Sequence, residues 1–247
     1  MIKFFRKIRQ QLLGEGNTAK YFKYAIGEIL LVMIGILLAL QVNNWNEERK
    51  IIKNEKETIK SLKLEFEKNH STLQGNIRVL QRIIETNNIL LSHVGPDYEL
   101  GTIHNVDSLI SMTLRMTVWD PSQYTLNSMK SEGKLSSLSN ENLKVKLIEW
   151  ESFYSNLLDW GDFYVDGGAK YFDFLKNNSL YRNISFRPDN NTVKSKFEGS
   201  NDELLRVQLF ENFLIDRATI SGFMLDFYKE AEQQIIEIIH ECQTYED

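Results

Sequence analysis

The chain of 247 residues contains one cysteine and only three prolines. Because Cys242 is the single thiol, no disulfide bond can form within the chain, and a lone thiol near the end of a helix is usually a small core residue. The scarcity of proline removes most of the residues that interrupt long helices. Few segments alternate apolar and polar residues as β-strands do. These absences, together with long helical patterns, predict an all-α protein.

The sequence also lacks the short motifs of the common enzyme classes. It has no Gly-x-Ser-x-Gly elbow, no phosphate-binding loop, no dinucleotide fingerprint and no cysteine-based metal motif. Asp159, Asp162 and Asp166 do not have the spacing of a calcium loop. We therefore expect no enzymatic activity and no cofactor. An envelope enzyme that acts on lipid or cell-wall material is the least favoured alternative.

Two Glu-x-x-His motifs, Glu67 with His70 and Glu237 with His240, come closest to a metal-binding pattern. Di-iron carboxylate bundles use two such motifs that point into the core. Here the apolar stripes of the two helices place both motifs beside or away from the core. We therefore predict that neither motif binds a metal.

One long apolar run is present over residues 24–42 (YAIGEILLVMIGILLALQV). Nineteen helical residues are roughly 28 Å long, about the thickness of the hydrocarbon core of a bilayer. The chain after Ala39 lacks the small-x-small pattern of a signal-peptidase site, which favours a retained anchor over a cleaved signal peptide. We predict a transmembrane helix over residues 18–46, preceded by a basic amphipathic arm over residues 1–17.

The distribution of charge predicts the orientation of this helix. The first 23 residues have a net charge of +5, whereas residues 43–247 have a net charge of −9. Lysine and arginine next to a span remain on the cytoplasmic side. We expect a cytoplasmic N-terminus, a span surrounded by membrane lipid, and a periplasmic α-helical domain over residues 47–247 of an inner-membrane protein. The acidic character of that domain argues against nucleic acid as a partner.

Small residues and one acid stand out within the apolar run. Gly27, Gly35 and Ala39 lie on one stripe, and small residues let a second helix approach closely, although they are also common in spans generally. They predict self-association of the span. Glu28 is the only ionisable residue of the run. It is either an ion or proton relay group or a side chain near the cytoplasmic edge that reaches water.

A seven-residue pattern continues from residue 47 to about residue 91 without a proline. One heptad position is mostly apolar, whereas its companion position is apolar only half of the time, which is poor for a strict coiled coil. The pattern predicts one helix from Thr18 to Leu91. It would join the span to an elongated extracytoplasmic helical bundle and could also support a homo-oligomer. The residues of the companion position are Glu55, Leu62, Asn69, Asn76, Ile83 and Leu90.

Capping residues and helix breakers divide the rest of the chain into further helices and one long surface loop. The predicted elements are a helix over residues 105–115, a helix from an N-cap at Asp120 to residue 130, a helix from an N-cap at Asn140 with kinks or interruptions at Gly161 and Gly167–Gly168, a loop over residues 177–200, and a last helix capped by Asn201 and Asp202.

Aromatic residues are concentrated over residues 150–174, where nine rings occur within 25 residues. Most of them have helical spacing, as expected for packing in a core. Rings nevertheless occur on both faces of the predicted helix, so the face that does not pack into the core would have to be buried by another element or by a partner. The surplus predicts a surface for an unknown protein partner, with Trp150, Trp160 and Tyr164 as the candidate residues.

Three segments together resemble a known protein family: MIKFFRKIRQQLL, KYFKYAIGEILLVMIGILLALQVNNWNEE and SMKSEGKLSSLSNENLKVKLIEW. The family consists of uncharacterised single-span proteins from bacteria of the Bacteroidota type, and it is classified as a domain of unknown function. The resemblance is strongest over residues 1–48. It implies an inner-membrane protein with an α-helical exterior domain, and it implies no activity and no catalytic residue.

Together these features predict a membrane-anchored helical protein that acts by binding, as a scaffold or a sensor, on the periplasmic side. The alternative is an accessory subunit of an ion-driven membrane complex that uses Glu28. Subunits of that class share the basic N-terminus, a single span containing an acid and a periplasmic domain, so this similarity is one of architecture only.

Overall fold

The computed structural model describes residues 18–184 and 194–246. These residues form six α-helices and one 3-10 helix and contain no β-strand, so the predicted all-α class is confirmed. The arm predicted over residues 1–17 lies outside the described residues. The elements are α1 (Thr18–Leu91), α2 (Val106–Thr113), α3 (Tyr124–Ser131), α4 (Glu141–Asn178), α5 (Tyr181–Ile184), the 3-10 helix (Asn201–Arg206) and α6 (Gln208–Glu246).

The chain divides into two compact units, Met1–Glu57 and Thr58–Asp247. Within the described residues, the first unit consists of the first part of α1, which includes the apolar run. The second unit contains the rest of α1 and all the other helices. The predicted bounds of the first helix, Thr18 and Leu91, are confirmed.

The core of the second unit follows the seven-residue pattern of α1. Ile59, Phe66, Leu73 and Leu80 are buried and share one apolar cluster with the buried stripes of α4 and α6. Trp150 of α4 is fully buried in this cluster, with its ring centroid 5.5 Å from that of Phe66. A second cluster joins the C-terminal end of α1 to α2, α4, the 3-10 helix and the start of α6. The heptad pattern therefore marks a helix of a shared core.

A segment without helical structure, residues 115–123, lies between α2 and α3 and is here called the strap. Asn69 of α1 holds it by two hydrogen bonds to the backbone of Ser122. The Asn69 amide donates to the carbonyl oxygen of Ser122 at 2.9 Å, and the N–H of Ser122 donates to Oδ1 of Asn69 at 2.9 Å. Thr117 of the strap also donates to Oδ1 of Asn76. Two of the polar residues that interrupt the heptad pattern, Asn69 and Asn76, therefore bind the strap.

The strap inserts a tryptophan into the core and is held there by α6 as well. Trp119 is buried, and its indole N–H donates to Oγ1 of Thr72 at 3.1 Å. Its backbone N–H donates to the hydroxyl of Tyr228 at 2.9 Å, and that hydroxyl donates to the carbonyl oxygen of Thr117 at 3.3 Å. Burial raises the pKa of Tyr228 to about 12, so this phenol remains a hydrogen-bond donor at neutral pH.

The predicted N-cap of the third helix, Asp120, is wrong. The helix begins at Tyr124, and its first turn is capped by Glu65 of α1, whose Oε2 accepts the N–H of Thr125 at 2.8 Å. A carboxylate at a helix N-terminus satisfies a free donor and interacts favourably with the helix dipole. The carboxylate of Asp120 instead accepts a hydrogen bond from the hydroxyl of Tyr154 at 3.4 Å.

Helix α4 is continuous, so the predicted interruption of the helix at Gly161 and Gly167–Gly168 is wrong. Gly168 allows the strap to pack closely against α4. A Cβ atom at Gly168 would lie 2.2 Å from Sδ of Met116 in the strap. The predicted N-cap at Asn140 is confirmed, because its side chain accepts the N–H of Leu143 at 3.0 Å.

The predicted start of the last helix at Asn201 is wrong. Residues Asn201–Arg206 form a 3-10 helix capped by Ser200, and α6 begins at Gln208. Asn201 is buried and accepts the N–H of Leu180 at 2.7 Å, which explains why a capping residue type is found there. The loop predicted over residues 177–200 contains the end of α4 and the short α5, and residues 185–193 lie outside the described part.

Replacing Asn69 by leucine should lower the free energy of unfolding by about 1–3 kcal/mol, because both backbone groups of Ser122 lose their partners. The substitution adds an apolar residue to the heptad pattern, so the pattern alone would predict the opposite sign. The measurement is chemical unfolding of the full-length protein in detergent, followed by tryptophan fluorescence.

Asn87→Leu is the matched control on the same helix. Asn87 is fully buried, its amide donates to the carbonyl oxygen of Ile83, and its Oδ1 has no hydrogen-bond partner. Leucine at this position should leave the stability unchanged or raise it. Equal effects of the two substitutions would contradict the role of Asn69 in holding the strap.

Candidate functional site

The apolar run of α1 is the first feature with a functional implication. Within its most apolar window of 18 residues, no residue is buried against another described part of the chain. The large apolar side chains of the run are exposed on every side of the helix. A helix that buries one face in a soluble core shows a single apolar stripe, so this run has a different pattern. It is long and apolar enough to cross a membrane.

The small residues of the run lie on an open surface. Gly27, Gly35 and Ala39 are all exposed, and a Cβ atom built at Gly27 or Gly35 would meet no other atom within 4 Å. The stripe is therefore accessible to a second helix, and self-association remains a prediction. Glu28 is partly exposed in the same run, and its role as a relay group also remains a prediction.

The second feature is a group of four rings on α4 and α6, which we call the aromatic face: Trp160, Phe163, Phe223 and Phe227. The ring of Trp160 lies 5.7 Å from Phe163, 5.9 Å from Phe223 and 5.5 Å from Phe227, measured between centroids. Phe163 and Phe223 are 54% and 51% exposed. Two large rings with half of their surface in solvent, joined through a third ring, form a contiguous apolar patch.

The prediction of a partner surface is wrong for two of its three residues. Trp150 and Tyr164 are fully buried, because they belong to the stripe of α4 that packs into the core. Trp160 is partly exposed at the edge of that stripe, next to Phe163 on the outer side. Helical spacing indicates which rings share a face, but it does not indicate which face the neighbouring helices cover.

A small cavity opens beside this patch. It has a volume of about 250 Å³ and is lined by Asp159, Trp160 and Phe163. The planes of the two rings meet at 87°, so they form two perpendicular walls, and the carboxylate belongs to the same lining. Asp162 is exposed on the next turn of α4, and Asp226 is exposed three residues after Phe223. None of these three aspartates forms a salt bridge with a described residue.

Sequence reasoning missed one unusual buried group, Arg217 of α6. Its side chain is 1% exposed and donates to the carbonyl oxygen of Arg115 at 3.0 Å and to the hydroxyl of Tyr164 at 3.3 Å. The guanidinium also lies 4.8 Å from the centroid of the Tyr164 ring, while Nε and Nη1 have no hydrogen-bond partner. Arg217 therefore ties the start of the strap to α4 and α6.

The two Glu-x-x-His motifs bind other side chains of the protein. Nε2 of His70 lies 3.1 Å from Oε1 of Glu232, and Lys146 donates to Glu237 at 2.7 Å. The hydrogen bond from Lys146 holds the pKa of Glu237 below its usual value. Among the described residues, no group of three or more histidine, cysteine, aspartate or glutamate side chains is placed to hold a metal ion.

Phe163→Ser and Phe223→Ser should each lower the free energy of unfolding by less than about 1.5 kcal/mol, because each ring is half exposed and loses only aromatic contacts. Trp150→Ala should lower it by about 3–5 kcal/mol, as expected for a large ring removed from a core. Chemical unfolding of the full-length protein in detergent measures both effects. Similar losses for the two kinds of substitution would show that the aromatic face is needed for folding.

Comparison with known proteins places the chain in a family. A family model described as Family of unknown function (DUF6090) matches residues 28–176. Searches of curated proteins and of solved structures found no significant match. The matched range overlaps the N-terminal block that carries the resemblance only over residues 28–48, and it continues through the strap to Trp160 and Phe163 on α4. Because the match covers more than half of the chain, this protein belongs to the DUF6090 family of unknown function.

Proposed function

We propose that this chain is a single-span inner-membrane protein of bacteria whose helical domain acts as a non-enzymatic binding, scaffold or sensor module on the periplasmic side. The observation that carries the proposal is the uncovered apolar run of α1. Thirteen large apolar side chains within residues 24–42 are exposed. The arm, the span and the domain over residues 47–247 then correspond to the cytoplasmic, membrane and periplasmic parts.

The free energy gained by removing apolar side chains from water supports the presence of a bilayer around this run. Fully burying one large apolar side chain stabilises a protein by about 1.5–3 kcal/mol; because these thirteen side chains are about half exposed, covering all of them is worth on the order of 10 kcal/mol or more. A whole domain is stable by only about 5–15 kcal/mol. A free energy of this size favours transfer of the run out of water. A bilayer covers all sides of a helix at once, as the distribution of exposed side chains requires.

The orientation rests on charge. The net charge of +5 before the run and of −9 after it favours an N-terminus in the cytoplasm. The small residues of the run support association with a second copy within the bilayer.

The binding role rests on the aromatic face. A folded domain gains free energy when it buries large rings, and contiguous apolar patches on a surface often mark interaction sites. Tryptophan and phenylalanine are enriched at the centres of protein interfaces. The face lies in the second unit, outside the apolar run, where it is available to a partner in the periplasm.

Membrane fractionation and protease treatment test the anchoring and the orientation. The full-length protein with a C-terminal tag, expressed in a bacterium with two membranes, should resist extraction by alkaline carbonate. Protease should remove the tag in spheroplasts and leave it intact in whole cells. Ile34→Arg combined with Leu37→Arg should release the protein from the membrane, because each charge at the centre of a span costs about 3 kcal/mol.

Leu64→Arg is the control for these substitutions, since Leu64 is an equally exposed leucine of the same helix outside the run. It should leave the anchoring unchanged. A wild-type protein that carbonate extracts, or a tag that is protected in spheroplasts, would contradict the proposal.

Crosslinking in native membranes followed by mass spectrometry tests the binding role. Reproducible crosslinks to a second copy or to a protein partner are expected, and Gly35→Ile should weaken the crosslinks between copies because it blocks close approach of the spans. Glu28→Gln should leave all crosslinks unchanged. Loss of partner crosslinks in Glu28→Gln, or on dissipating the ion gradient, would instead favour an accessory subunit of an ion-driven complex. Absence of any reproducible crosslink would contradict the proposed function.

A further inference from the structure

We propose that the aromatic face binds a cationic side chain, lysine or arginine, presented by a basic segment of a protein partner. The inference rests on the proposed function, because it names the chemistry of the partner that the domain binds. The observation that carries it is the cavity formed by Asp159, Trp160 and Phe163.

The geometry of the two rings suits a cation. A ring attracts a positive charge over its face, and among the aromatic side chains tryptophan does so most strongly. The rings of Trp160 and Phe163 are perpendicular and both line the cavity, so both rings are within reach of a cation placed there. The protein uses this kind of contact elsewhere, since Nζ of Lys176 lies 4.5 Å from the centroid of Phe172. In the part of the chain that the structure describes, no such contact forms at Trp160 or Phe163.

The charges around the cavity favour the same occupant. Asp159 lines the cavity, and two further exposed carboxylates are sequence neighbours of the rings: Asp162 directly precedes Phe163, and Asp226 directly precedes Phe227. These three carboxylates have no salt bridge among the described residues. Lys170 on the same helix is engaged by Asp166 at 2.6 Å. An incoming cation therefore meets rings and unpaired carboxylates together, which strengthens its attraction and disfavours an anionic partner or an anionic lipid.

The size and openness of the cavity indicate a side chain on a protein rather than a free small molecule. Pockets for small ligands are typically about 300–1,000 Å³ and enclose most of the ligand. This cavity has about 250 Å³ and is bordered by Phe163, which is half exposed. A small cation would remain partly in water, whereas a polypeptide can also cover the exposed ring of Phe223. The partner segment should therefore combine basic and apolar residues.

Fluorescence anisotropy tests this inference on the full-length protein in lipid nanodiscs. The probe is a labelled eight-residue peptide of alternating arginine and leucine, and the comparison peptide has glutamate in place of arginine. The arginine peptide should bind and the glutamate peptide should not. Trp160→Leu keeps an apolar side chain but removes the ring face, and it should weaken binding about tenfold. Asp159→Asn should also weaken binding, whereas Trp160→Phe should stay within about threefold of the wild type.

Two matched substitutions control for general effects. Tyr124→Leu removes an exposed ring elsewhere on the domain, and Asp97→Asn removes an exposed carboxylate elsewhere. Both variants should bind the arginine peptide as the wild type does. Equal weakening by Asp97→Asn and Asp159→Asn would show attraction by the overall negative charge and would overturn the inference.

Three other results would also overturn it. These are unchanged binding in Trp160→Leu, equal binding of the glutamate peptide, and binding of tetramethylammonium as tight as that of the arginine peptide. The proposed function fails separately from this inference. Partner crosslinks that persist unchanged in Trp160→Leu would keep the binding role and remove only the cationic site.

Discussion

The second unit depends on one polar interaction, the pair of hydrogen bonds between Asn69 and the backbone of Ser122. It fixes a segment without secondary structure of its own against α1. In this position of the strap, Trp119 is buried in the core and its backbone N–H donates to the hydroxyl of Tyr228 on α6. The strap thereby connects α1 to α6 through hydrogen bonds. Hydrogen bonds are directional and fix one relative position of the two helices, whereas apolar packing alone allows the helices to slide past each other.

Much of the fold could be predicted from the sequence because its main signals are local. The period of the apolar residues and the scarcity of proline indicate the class and the bounds of α1, and Asn140 marks the start of α4. Asp120 does not cap α3 because the backbone N–H of Thr125, in the first turn of that helix, donates to Glu65 instead. Glu65 lies 60 residues before Thr125 in the sequence. The glycine at position 168 could not be explained from the sequence either, because a side chain there would collide with the sulfur atom of Met116 in the strap. Contacts of this kind depend on the assembled helices and leave no local pattern.

The candidate site could be predicted only in part, because helical spacing is a local signal whereas the contacts between helices are not. A surplus of rings over residues 150–174 indicates that one face of α4 needs a cover, but only the position of α6 decides which rings are covered. Trp150 and Tyr164 are buried, whereas Trp160 and Phe163 remain at the surface beside Phe223. Phe223 belongs to a helix some 60 residues further along the chain, and nothing in the sequence associates it with Trp160. The apolar run, by contrast, could be predicted in full, because its length and composition are local properties of the sequence.

A basic protein segment outside the membrane is the proposed partner of the aromatic face. Site-specific photocrosslinking in living cells tests this proposal most directly, with a photoreactive amino acid in place of Phe163. We expect an adduct to a protein, with the attachment site next to lysine or arginine residues, and no adduct from the same amino acid placed at Tyr124. Adducts to lipid alone, or equal yields from both positions, would contradict it.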